Sequence, residues 1–80
     1  MPRVKLTITE SRCGYFKKGQ EIIVEDLCPP LCRELWNSIY PPVYALRNGA
    51  SLDYGDGRAK VFDAKCPDWG RVCIHGEVLD

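Results

Sequence analysis

Val4, Leu6 and Ile8 alternate with Arg3, Lys5, Thr7 and Thr9, and this period of two predicts a strand with one face buried and the other in water. The alternation stops at residues 11–19, where Gly14, Lys17, Lys18 and Gly19 read as a connection. Residues 21–25, Glu-Ile-Ile-Val-Glu, are dominated by β-branched side chains and predict a second strand, antiparallel to the first.

The period then lengthens. Leu31, Leu35 and Ile39 recur at helical spacing, with Cys32 and Trp36 one position along on the same broad face. Proline fits the first turn of a helix and disfavours helical backbone in the residue before it. Pro29 or Pro30 is therefore expected to open this helix, with Cys28 just outside. Pro41 and Pro42 are expected to stop it, and residues 43–46 to add a further helical turn or two before a glycine cap at Gly49.

Residues 49–58 carry glycines and aspartates without a period and read as an exposed loop. Asp53 and Asp56 supply too few oxygens at alternating positions for a calcium loop, so a solvated turn is the expectation. Residues 61–64 and 72–79 predict the last two strands, joined by a turn at "CPDWG". On the final strand Val72, Ile74 and Val78 share one face, and Cys73, His75 and Glu77 the other. The order β-β-α-(α)-β-β implies the α+β class: one domain over residues 1–80, with a small antiparallel sheet of about four strands and a helical segment packed on one face.

Composition narrows the functional classes. A chain of 80 residues buries only about 60 to 65 % of the surface its unfolded form exposes. A bound metal, a disulfide or a partner subunit would reinforce so thin a core, and two sheet edges favour a homo-oligomer. Eleven basic and eleven acidic residues cancel, and no like-charge run exceeds Lys17-Lys18, so long-range attraction to nucleic acid or anionic lipid is not encoded. A sheet that reads RNA interleaves aromatics along its strands, which these strands lack; no nucleic-acid partner is expected. No apolar stretch approaches the roughly 20 residues of a membrane span, and the opening Met-Pro-Arg segment lacks the apolar core of a signal peptide. A cytoplasmic chain with no membrane association is the expectation. Five cysteines in a reducing compartment argue against a disulfide framework.

The thiols hold most of the candidate chemistry. Cys28, placed at an expected helix start, would have a thiolate stabilised by unpaired N–H groups, which makes it the candidate nucleophile or redox thiol. Cys28-Pro-Pro-Leu-Cys32 is one residue longer than the C-x-x-C loop of redox sites and zinc knuckles, and Cys32 reads as a packed residue. Cys66 precedes a turn, and Cys73 and His75 follow it. A metal set would combine Cys13, Cys28 and Cys66 with Cys73 or His75, and its sulfur content favours zinc or iron over magnesium or calcium. A Cys-His catalytic pair would use Cys28 or Cys66 with His75 as base, although no orienting carboxylate can be assigned to His75 from the sequence.

Cys13, Gly19, Cys28-Pro29, Tyr40-Pro41, Ala45-Leu46-Arg47 with Gly49, and Cys66-Pro67-Asp68 form a combination of motifs over nearly the whole chain. In these the chain resembles a family of short uncharacterised bacterial and archaeal proteins, some built as tandem repeats. The resemblance implies no activity, but it sorts the thiols: Cys13, Cys28 and Cys66 fall on family positions, while Cys32, Cys73 and His75 are particular to this chain. Arg47, also on a family position, would cap carbonyls or meet an anion.

Three functions follow as expectations. The leading one is a small non-catalytic protein whose clustered cysteines bind a metal or serve a partner enzyme. The others are a thiol enzyme or redox carrier using Cys28, and an interaction module in which every cysteine packs.

Overall fold

The computed structural model describes residues 2–25, 29, 31–67 and 69–79. Strands β1 (Val4–Ser11), β2 (Glu21–Val24), β5 (Val61–Lys65) and β6 (Val72–Val78) form an antiparallel sheet in the order β2-β1-β6-β5. Helix α1 (Arg33–Arg47) lies across one face, and β3 (Leu52–Tyr54) and β4 (Gly57–Ala59) form a separate hairpin. This is the α+β arrangement that the periodicity predicts.

Strand alternation builds the core directly. Leu6 lies opposite Ile22 and Gly76, and Ile8 opposite Ile74, so one face is continuously apolar and meets α1. The other face is open to solvent, where Lys5 bridges Glu21 at 3.5 Å and Glu77 at 3.1 Å. Between Ile8 and Glu10 the register of β1 shifts by one residue, a β-bulge at Thr9. Beyond it Glu10 faces Cys73 on the open side, and Ser11 faces Val72 on the core side.

Two expectations about α1 are corrected. Its first residue is Arg33, with Cys32 as N-cap, so the helix opens after the proline pair; Cys28 and Pro30 lie outside the described residues. It also runs through Pro41 and Pro42 to Arg47. Each interior proline removes an N–H donor at a cost of about 3 kcal/mol. Leu35, Ile39, Val43 and Leu46 nonetheless form one buried stripe across the break, and each such side chain gains about 1.5–3 kcal/mol from burial. The packed stripe wins, and the prolines sit on the exposed side or its margin. Asn37 and Ser38, whose carbonyls lose their helical donors, are exposed residues, which leaves these groups open to solvent. The helix ends as expected at Gly49, φ 87, with Gly49 N–H donating to the Leu46 carbonyl and Ala50 N–H to that of Ala45. Arg47 donates from Nε to the Pro2 carbonyl at 3.3 Å, tying the helix end to the start of the chain.

Residues 49–58, expected as a loop, contain the β3–β4 hairpin instead. Its two-residue turn, Gly55-Asp56, uses a glycine at φ 63. Asp53 pairs with Arg58 at 3.4 Å. Among the described residues no helix is long and apolar enough to cross a membrane.

Candidate functional site

Three connections meet at one end of the sheet. In the first, the core-facing Ser11 hydroxyl donates to the Phe16 carbonyl at 2.6 Å, and the Cys13 N–H donates to Ser11 Oγ at 3.3 Å. These bonds fold the β1–β2 connection back on itself, burying Phe16 and packing Cys13 against the core. In the second, Cys32 caps α1 with extended backbone, φ −66 and ψ 151, while its carbonyl accepts the Trp36 N–H at 3.0 Å. Its side chain makes no cap hydrogen bond, so the thiol is left to the surrounding space. In the third, Cys66 closes the β5–β6 turn, its N–H donating to the Val72 carbonyl at 2.8 Å and its carbonyl accepting from Gly70 at 3.1 Å. Cys66 is 8 % exposed.

The result is an open cavity of about 470 Å³ with Cys13, Phe16, Cys32, Cys66 and Val72 on its walls. Tyr15, Arg33, Glu34 and Arg71 complete the lining. An apolar, sulfur-rich interior with charges at its mouth suits an apolar or sulfur-bearing group that reaches in from a charged body. Arg33, Glu34 and Arg71 would orient that body.

The structure thus brings Cys13 and Cys66 to one cavity and adds Cys32, whose packing role also holds, since it rests against the core. Cys28 lies outside the described residues. Cys73 and His75 stand on the opposite face of the sheet, away from the cavity, because β6 alternates. Among the described residues, no group of three or more His, Cys, Asp or Glu side chains is arranged to hold a metal ion.

The open face carries a second cluster. His75 and Asp63 are cross-strand partners, and Nδ1 lies 2.6 Å from Asp63 Oδ1. The Tyr54 hydroxyl, brought over by the β3–β4 hairpin, donates to Asp63 Oδ2 at 2.8 Å. The Asp63 carboxyl is held below the usual carboxylate range by the His75 hydrogen bond first and the Tyr54 hydrogen bond second, against a smaller opposing effect of burial. The same contact raises Tyr54, because removing its proton would break the bond and set two anions side by side. Sequence reasoning left His75 without an orienting carboxylate; Asp63 is that residue. The signal was the 61–65/72–78 strand pair itself, since registering Ala64 on Ile74 places Asp63 opposite His75.

Two aromatic side chains stand out from the cavity end. Tyr15 is 82 % exposed, and Trp69, in the β5–β6 turn, is 86 % exposed. Trp69 also adopts φ 60, the left-handed region that bulky side chains avoid, and its carbonyl accepts from Arg12 Nη2 at 3.4 Å.

No protein-family model, curated protein or solved structure matches the chain.

Proposed function

We propose that this chain is a small non-catalytic binding protein, serving a partner, whose ligand site is the cavity bounded by Cys13, Cys32 and Cys66. One observation carries this reading: three separate connections each contribute a thiol to the wall of the same open cavity. Thiols scattered merely as small hydrophobes would have no reason to converge there. A non-catalytic role is supported by the separation of the chain's one imidazole, on the open face and engaged with Asp63, from the cavity thiols. Among the described residues, Cys66 and His75 lie on opposite faces of the sheet and do not form a thiolate–imidazole pair. A bound metal is the second reading, favoured by the shared wall position of Cys13 and Cys66, and it would draw on Cys28 as a further ligand.

The test follows alkylation of each cysteine by mass spectrometry in reduced protein, alone and in fractions of the source-cell extract. A cavity ligand slows Cys13 and Cys32 together and leaves Cys73 on the other face unchanged. Protection removed by a chelator assigns a metal, and protection removed by protease assigns a protein partner. Equal rates for Cys13, Cys32 and Cys73 in every fraction would overturn the proposal.

A further inference from the structure

The open face of the sheet carries a donor pair that the cavity does not use. On β6, Cys73 and His75 are two residues apart, and strand alternation sets both side chains on that face. Neither is sealed in the core: Cys73 is half-buried, and the His75 side chain is 28 % exposed. Lys65 and Glu10 flank Cys73 on the neighbouring strands, and Asp63 and Thr7 flank His75. A hollow of about 180 Å³, bounded by Thr9, Asp63, Lys65 and Cys73, opens beside the thiol-bearing residue.

The imidazole is prepared for ligation. Asp63 takes Nδ1 at 2.6 Å, so the neutral ring keeps its proton there and presents the lone pair of Nε2. Asp63 is itself held by the Tyr54 hydroxyl at 2.8 Å, and the Tyr54 ring meets the His75 ring edge-on with centroids 6.5 Å apart. Metal-ligating histidines have this support: a carboxylate on the other nitrogen fixes the tautomer, aims the ring and raises its basicity. Same-face neighbours on a strand start about 6.7 Å apart, and two in-line bonds to sulfur and nitrogen span about 4.3 Å. Two side chains leaning together from one face close that difference.

Donor number and type select the ion. Among the described residues, no third His, Cys, Asp or Glu completes a metal-holding group with this pair. Zinc, which takes four ligands, is poorly served by two. A soft monovalent ion, copper(I) above all, is satisfied by two donors in line and is suited by a thiolate and an imidazole.

We infer that Cys73 and His75 form a two-coordinate copper(I) site on the open face, with Sγ and Nε2 as ligands and Asp63 and Tyr54 as positioning residues behind the imidazole. On binding, the thiol releases its proton to solvent, the ion takes the sulfur and the Nε2 lone pair, and no electron is transferred. The site is independent of the cavity on the other face.

Copper(I), delivered anaerobically to the reduced chain from its bicinchoninate complex, tests this. At one equivalent, Cys73 should be protected from alkylation while Cys13 and Cys32 keep their rates, and the His75 Nε2 signal in nitrogen-15 NMR should shift. That shift should vanish in Cys73→Ser. The copper concentration that protects Cys73 should rise at least about tenfold in His75→Gln, about tenfold to a hundredfold in Asp63→Asn, and less in Tyr54→Phe. Cys66, buried in the core, should resist alkylation in every variant, which separates a lost site from a lost fold. Protection of Cys13 and Cys32 first, with Cys73 still reactive, would overturn the inference and favour a metal in the cavity. Protection of Cys73 that His75→Gln leaves unchanged would overturn it too, because the thiol would then bind alone. Equal protection of Cys73 by zinc(II) would overturn the two-coordinate assignment.

Discussion

Asp63 receives two hydrogen-bond partners at once: His75 Nδ1 lies 2.6 Å from one carboxylate oxygen, and the Tyr54 hydroxyl lies 2.8 Å from the other. The carboxyl is consequently harder to protonate in the folded protein than in the unfolded chain. A depressed folded value contributes stability above the unfolded pKa, and this stability is lost as pH falls through the folded one. Asp63→Asn should therefore flatten the acid limb of the stability profile below about pH 4. Carboxyl NMR should show Asp63 titrating higher in His75→Gln, and by a smaller amount in Tyr54→Phe. Equal profiles for Asp63→Asn and the parent chain would disprove the linkage.

The Phe62 ring occupies the space that a Cβ on Gly76, its cross-strand partner, would need. Gly76→Ala should destabilise the protein by roughly 1–3 kcal/mol in urea titration, because the ring must leave a good rotamer or the strands must part. Phe62→Leu should recover part of the loss in a double-mutant cycle. Additive effects would mean that the two positions do not share that space.

Interior prolines in α1 make an opposite prediction. Pro42→Ala restores an N–H for the Ser38 carbonyl without disturbing the buried stripe, so the protein should gain on the order of 1–2 kcal/mol, less than the full helix-interior penalty. Denaturant midpoints read this, and a loss would show that the proline ring packs better than a restored helical bond.

Cys66 is walled in by the core, whereas Cys13 and Cys32 are half-buried. Cys66→Ser should cost about 1–3 kcal/mol, more than Cys66→Ala, because a hydroxyl there replaces a sulfur in apolar surroundings. In the native protein, Cys13 and Cys32 should react with an alkylating reagent before Cys66, as intact-mass time courses would show. Prior modification of Cys66 would place that thiol outside the core.

Strands of four or more residues were legible because a period of two over that length fixes which side chains face the core. That is why Val72 and Ile74 separate cleanly from Cys73 and His75. The helix start was not legible: Pro29 and Pro30 satisfy the local rule for a first turn, yet the chain opens its helix at Arg33. Continuation through Pro41 and Pro42 was equally hidden, since it depends on tertiary burial of Leu35, Ile39, Val43 and Leu46. Strands β3 and β4, three residues each, are too short for any period to register. Cys13 and Cys66 stood out in the sequence as candidates, but their meeting with Cys32 on one cavity wall is a property of three connections at once. The Asp63–His75 partnership needs a strand register, and the open-turn geometry of Trp69 leaves no periodic trace.

The bulge at Thr9 governs the phase of everything that follows it in β1. With Thr9 as an extra residue, Ser11 points to the core side, where its hydroxyl gathers the Phe16 carbonyl and the Cys13 N–H. Were the strand to run on from Ile8 in unbroken alternation with Thr9 paired, Glu10 would face the core, Ser11 would turn outward and the inside and outside of the connection beyond it would be reversed. The chain's sulfur-lined cavity is thus set in part by an irregularity in counting: one unpaired position in a central strand decides on which side of the sheet the first of its thiols arrives.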